Sequence, residues 1–585
     1  MKRLLVVLAV LLVPAAALAQ LTAYPKTSLA EDFTATWCGY CPDAYAGLEV
    51  VHSNYDYSEF LSARFYATSG DYGTTETDAR MGYYGFSSYP SVVINGTERF
   101  VGVGPTTASG APYMAAVAGA YLDPSPIQIA IDSFSIATGA ISVTVTMHSP
   151  TDSLVTGDSI VFLILEDNLT AEHTRAVRDV LITGITLSGQ GNTAVFNENL
   201  DLTYVGNPAQ CHALVFVQRQ DQEVVQATST YPIPTYKARA TVPFSPMQMG
   251  PSTGTYVGEL FPIVNVGLAD TFSINLVVDE APAGWVLTYS DEAGTTYTGP
   301  TNFSLGTGEF AQWRANITPT TGGYARYHFE VDSPNLASPL VVNFRYITDN
   351  VEVLVVDDDG GESFESYFTA ALRGAGRSYG VWDLASAKLT TEALQAYHLL
   401  VWNVGWSFPS LDAEDRAFLI QYLDDGNKLF ITGQDVGWDL ADPASDNTDL
   451  PFYHNYLHAD YIIDDTNVLT LYGVAGDPVG DGLVLSISGG DGANNQDYPS
   501  EISAYDSNAT GILDYNGTTY EFGAIRAVHG AAGARIVYLA FGFEAINNPT
   551  ARGGLMLASW KWLLDVMFAD GFETGDLSAW SSAVP

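Results

Sequence analysis

Residues 31–51 read EDFTATWCGYCPDAYAGLEVV and place Cys38 and Cys41 two residues apart, where a strand-like run gives way to a helix-like one. LAEDFTAT (29–36) predicts a strand and DAYAGLEVVHSNY (43–55) a helix. Cys38 is then expected at the helix N-terminus, where unpaired N–H groups and the helix dipole favour a thiolate. Thiolate is the attacking species in thiol–disulfide exchange, and Cys41, one turn later, is placed to resolve the mixed disulfide. Pro42 has no N–H to offer, which a first helical turn tolerates.

Other uses of the pair fare differently. Haem attachment needs His directly after the second cysteine, and Pro42 stands there. Structural zinc needs four ligands. The remaining thiol, Cys211, lies far away in QCHALVFVQRQ (210–220), with His212 expected on the opposite strand face. A purely structural disulfide stays open, although so short a loop constrains the unfolded chain little. Alternation groups Cys211 with Ala213, Val215 and Val217, so it is expected to be a buried, inert thiol.

The chain begins with Met1, Lys2 and Arg3, continues LLVVLAVLLVPAAA and reaches ALAQ, the pattern of a secretory signal peptide cleaved after Ala19. No later apolar run approaches the ~20 residues of a membrane span. The expected location is secreted, or periplasmic and outer-membrane associated. Lys and Arg total 23 against 66 Asp and Glu, a formal charge of −43. Such a surface repels nucleic acid and anionic lipid, which excludes both as primary partners.

With 585 residues, 47% of them hydrophobic, the chain can bury several cores. Residues 20–121 mix strand and helix patterns. Residues 122–237 turn to short alternating runs such as AISVTVTMH and SIVFLILED, an all-β texture. A Pro-rich linker, YPIPTYK (231–237), leads to a second β region, 238–349, which resembles Ig-like modules. From VEVLVVDDDGGESFESYF onward, strands alternate with helices through 350–568, the pattern of a doubly wound parallel sheet. A tail, 569–585, resembles a short C-terminal element of secreted bacterial proteins and reads as a sorting or attachment signal or as plain disorder. The expected fold class is multidomain α/β plus all-β, with two β-sandwiches and a doubly wound α/β domain.

EDFTATWCGYCP, followed about fifty residues on by GFSSYPSVVING (85–96), resembles the thioredoxin superfamily. The surrounding wording is similar to the envelope family related to outer membrane protein 28, which joins a thioredoxin-like domain to a β domain. The resemblance covers residues 20–237. It implies a thioredoxin-like fold for 20–121, with Cys38 as nucleophile, Cys41 as resolving thiol and Trp37 as the aromatic that shields the pair. Pro90 matches the cis-proline facing the disulfide, and Tyr89 would offer its backbone to an extended substrate. Asp32, six residues before Cys38, matches a buried acid that moves protons during exchange; a plain strand-end carboxylate is the alternative. Gly39-Tyr40 resembles the dipeptide of the bacterial periplasmic disulfide isomerase, which makes Tyr40 a substrate-side residue. The implied activity is thiol–disulfide exchange with protein thiols or disulfides, served by an unnamed redox partner and needing no cofactor beyond the cysteine pair. The rival is a non-catalytic secreted or cell-surface binding protein with a relic thioredoxin-like domain.

The doubly wound region resembles the class I glutamine-amidotransferase-like fold, whose nucleophile sits in a Gly-x-Cys-x-Gly turn. Here that turn reads Gly433-Gln434-Asp435-Val436-Gly437, without a cysteine or serine, so amidotransferase chemistry is not expected. Asp357, Asp358 and Asp359 close the first parallel strand, at the edge where such sheets bind ligands. Oxygen donors in a row suit Ca²⁺ or Mg²⁺, and Asp before a helix also suits an N-cap, the favoured reading. His454 and His458 have helical spacing but Asn455 follows the first, so no HExxH zinc site is expected.

Overall fold

Buried strands must be apolar on both faces or pair whatever charges they carry, and the first sheet does both. The computed structural model describes residues 20–104, 106–170, 173–515 and 521–566; the expected signal peptide and C-terminal tail lie outside the described residues. Strand β1 (Ser28–Thr34) runs parallel to β2 (Phe60–Tyr66) and antiparallel to β3 (Ser91–Ile94), which pairs with β4 (Glu98–Val101). On one face Leu29, Phe33, Leu61 and Phe65 pack with Met81 and Tyr84, at and just beyond helix α2 (Thr75–Tyr83). On the other, Ala30, Phe60, Val92 and Ile94 pack against helices α1 (Cys41–Asn54) and α3 (Ala111–Gly119).

β2 also pairs, in parallel at Arg64↔Ala176, with the strand Ala176–Gly184. Through it the sheet continues to Ser159–Glu166, Cys211–Gln218 and Val224–Ser229, eight strands in all. One sheet therefore crosses the position near residue 121 where the texture of the sequence changes. A three-stranded sheet (Ile127–Ser135, Ala140–Met147, Thr193–Asn199) covers its far end through Val143, Val145, Phe162 and Val215.

The linker is docked rather than free. Tyr231 is buried, stacks on Tyr57 and donates to Asp167, and Lys237 pairs with Asp56 and Glu59. A β-sandwich follows, one sheet containing Phe310–Thr318 and the other Tyr324–Asp332 and Leu340–Thr348, around Phe261, Phe272, Phe329 and Phe344. Beyond it, Tyr379–Asp383, Val353–Asp357, Leu399–Asn403, Lys428–Thr432 and Ala534–Leu539 lie side by side in parallel. Antiparallel strands extend that sheet from Phe522–His529 outward. Helix α4 (Glu365–Gly374) lies against its first strand and against the helix Pro549–Leu563. Strands outweigh helices, and no helix among the described residues is long and apolar enough to cross a membrane.

Candidate functional site

The cysteine loop leaves β1 and turns at once, the Cys38 N–H donating to Ala35 O at 3.1 Å. Helix α1 begins at Cys41 with Tyr40 as N-cap, so Cys38 precedes the helix instead of opening it. Pro42 is the reason. In a helix begun at Cys38 its missing N–H would leave the Cys38 carbonyl without its donor and its ring would crowd that carbonyl, whereas at the observed start it occupies the first turn. Cys38 reaches the helix end through its disulfide to Cys41, the first helical residue.

The two sulfurs differ in access. Cys41, at the start of α1, is 3% exposed, while Cys38 is half-buried and its near neighbours in the chain, Trp37 and Tyr40, are 60% and 69% exposed. β1 and β3 pair at Phe33↔Ser91, so the loops carrying Cys38 and Pro90 leave the same sheet edge. Trp37 stands edge-on to Tyr89 with ring centroids 5.7 Å apart, and its Nε1 donates to Ser69 Oγ at 3.2 Å. The Tyr89–Pro90 peptide is cis. Trp37 and Tyr40, neighbours of the disulfide in the chain, leave large aromatic surface exposed beside it.

Asp32 is fully buried and shares the face of Ala30, beneath α1. It is no strand-end carboxylate exposed to water. Arg64 faces it in register on β2 and donates from Nε to Oδ2 at 2.9 Å, while Oδ1 has no hydrogen-bond partner. Arg64 also lies over the Tyr45 ring of α1, 4.5 Å from its centroid. Burial pushes the Asp32 carboxyl above its ordinary range, and the nearby guanidinium only partly offsets this. Sequence reasoning missed Arg64, although an arginine inside the apolar run SARFYAT signals a buried anion opposite.

At the C-terminal edge of the parallel sheet the three aspartates part company. Asp358 accepts from Trp402 Nε1 at 3.0 Å and Ser407 Oγ at 3.2 Å, and burial pushes it up to about 7. Asp359 accepts from the N–H groups of Gly361 (3.1 Å) and Phe364 (2.9 Å). The N-cap of α4 is Phe364, so the favoured N-cap reading is corrected: Asp359 holds the cap residue's N–H from outside the helix, because GGES intervenes. Asp357 and Asp359 meet Glu365, which sequence reasoning missed, with one oxygen of each within 4.8 Å of the others. Burial, then repulsion from Asp359 and Glu365, pushes Asp357 up to about 8.

The turn 433–437 carries Asp435 as N-cap of the short helix Val436–Ala441, with no thiol or hydroxyl in the nucleophile position. Of the histidine pair, His454 lies in the helix Leu450–Asn455 and stacks on Tyr505. His458 lies beyond it at φ 57 and bonds Asp506 and His529, so the helical i, i+4 relation does not form. Cys211 is half-buried at the margin of the core of Ala213, Val215 and Val217. Burial and then Glu166 push its thiol up to about 12.

No family model matches the chain, and no curated protein does. Among solved structures it is similar to HBP35 of Porphyromonas gingivalis, 12% identical over 56% of this chain and 99% of that one, at a TM-score of 0.30. It is also similar to a glutamine amidotransferase from Thermotoga maritima, 14% identical over 37% of this chain and 98% of that one, at 0.25. A CARDB domain from Pyrococcus furiosus is 18% identical over 20% of this chain and 97% of that one, at 0.15. Likenesses this slight carry no argument about activity.

Proposed function

We propose that the chain is an exported thiol–disulfide oxidoreductase whose 20–121 segment is a thioredoxin-like unit related to the outer membrane protein 28 family. The observation that carries the reading is the meeting of the two loops: Trp37, next to Cys38, stands edge-on to Tyr89, next to the cis Pro90, and the disulfide joins a half-buried Cys38 to a shielded Cys41. An extended client segment laid along Tyr89 would bring its sulfur to Cys38.

Starting from the dithiol, the Cys38 thiolate attacks a client disulfide, forms the mixed disulfide and expels one client thiolate, which takes up a proton. Cys41 then loses its proton, attacks Cys38 Sγ and releases the second client thiol. The client disulfide is reduced to two thiols and the cysteine pair is oxidised; the reverse sequence oxidises a client dithiol. Asp32, buried on the α1 face, accepts the Cys41 proton while Arg64 holds its carboxylate in place. An external thiol or disulfide couple resets the pair and sets the direction. The 350–568 region, amidotransferase-like with Asp435 in place of a nucleophile, serves structure or binding. Dithiothreitol-driven reduction of insulin by the mature chain, lost in Cys38→Ala, tests the activity; rates equal to the uncatalysed background in the wild type would overturn it.

A further inference from the structure

Beyond the redox reading, and independent of it, we infer that Asp357, Asp359 and Glu365 bind one Ca²⁺ ion, with Asn403 adding an amide oxygen to the set. The acidic cluster alone would not carry this. Asn403 is 0% exposed and neither of its side-chain amide atoms has a hydrogen-bond partner. Glu544 is 1% exposed; its Oε1 accepts from Asn495 at 2.8 Å, and its Oε2 has none. Leaving such groups unpaired in the interior carries the full desolvation penalty, so a partner is expected.

Asn403 is aimed into the cluster. Asn403 is the in-register neighbour of Asp357 on the adjacent parallel strand, and residues so paired project from the same sheet face. The turn Phe543–Ala545 covers that face: Phe543 packs on Phe430, whose strand partner Val401 pairs with Val355, and on Phe368 of α4. Glu544 on this turn is close enough to Asp359 for the two carboxylates to repel. Asp357 Oδ1 and Glu365 Oε2 are buried without partners as well. The nearby cation, Arg345, is engaged by Asp383 at 3.1 Å.

The donors are all oxygen, with several carboxylates and an amide carbonyl, which suits a hard cation of high coordination number; Mg²⁺ keeps more of its water and asks for a tighter octahedron. The place is the one open α/β sheets use for ligands, beyond the carboxyl ends of the strands.

The test is calorimetric titration of the chelator-treated full chain with CaCl₂ and with MgCl₂ at 150 mM NaCl, alongside thermal melts. The expected result is one Ca²⁺ per chain, a melting point raised by Ca²⁺, weaker Mg²⁺ binding, and at least about a tenfold affinity loss in Asp357→Asn. That variant relieves repulsion in the metal-free state, so it should fold at least as well as the wild type. Glu362→Gln, an exposed acid nearby, should bind as the wild type does. Absence of a one-to-one isotherm, binding unchanged by Asp357→Asn, or Mg²⁺ bound more tightly than Ca²⁺ would overturn the assignment.

Discussion

Asp32 and Arg64 face each other in register across two parallel strands, ion-paired at 2.9 Å with both side chains almost wholly withdrawn from water. Removing one charge from such a pair strands the other, at a cost of about 3–5 kcal/mol. Asp32→Asn, which keeps an acceptor for Arg64, is expected near the lower end of that range by urea denaturation. It should also slow resolution of the mixed disulfide more than the first attack, because the Cys41 proton loses its acceptor. Wild-type stability in Asp32→Asn would contradict the pairing, and equal slowing of both steps would leave Asp32 a structural residue only.

His52 gives a pH prediction. Its ring packs on Phe60 and its Nε2 meets Ser62 Oγ at 2.8 Å, and burial lowers its pKa to about 4. Between about 4 and the ordinary 6.5 the unfolded chain binds a proton that the folded chain refuses. The contribution is thus fully present above 6.5 and lost as pH falls toward 4. Between pH 7 and pH 5 the wild type should lose about 2 kcal/mol more than His52→Gln does. Parallel pH profiles for the two proteins would show the ring to be solvated.

Arg239 ties the sandwich to the first unit. It is 2% exposed and donates to Lys26 O at 2.8 Å and to Ser58 O. Arg239→Met keeps the volume but leaves those carbonyls without their donor, and is expected to cost about 3 kcal/mol. A change under about 0.5 kcal/mol, the range of ordinary surface substitutions, would show the junction to be wet.

Cys211 should behave as an inert thiol. With its pKa pushed up to about 12, negligible thiolate exists at pH 8. Iodoacetamide should leave the native oxidised chain unlabelled over a period that labels it fully in urea. Fast native labelling would place Cys211 among the reactive thiols.

Much of the cysteine site was legible because its residues are local in sequence: 32–41 lie on one strand, one turn and one helix start, and Tyr89-Pro90 forms a short motif. The helix was expected over 43–55 and begins at Cys41, while Cys38, expected at its N-terminus, lies three residues before it. Arg64 and the eight-stranded sheet depend on pairing between segments far apart, which alternation within one segment does not encode. The same holds for the acidic corner. Three consecutive aspartates were visible, but their separation into Asp358 against Trp402 and the other two against Glu365 follows from strand direction and helix placement. Asn403 arrives there from a neighbouring strand about 45 residues on.

Trapping by single-cysteine variants tests the central claim most directly. Cys41→Ala, incubated with oxidised client proteins from a secreted extract and resolved on non-reducing gels, should accumulate mixed disulfides at Cys38, whereas Cys38→Ala should accumulate none, since Cys41 is 3% exposed. Equal trapping by the two variants, or none by either, would contradict an exchange site built on an accessible Cys38 and a shielded Cys41.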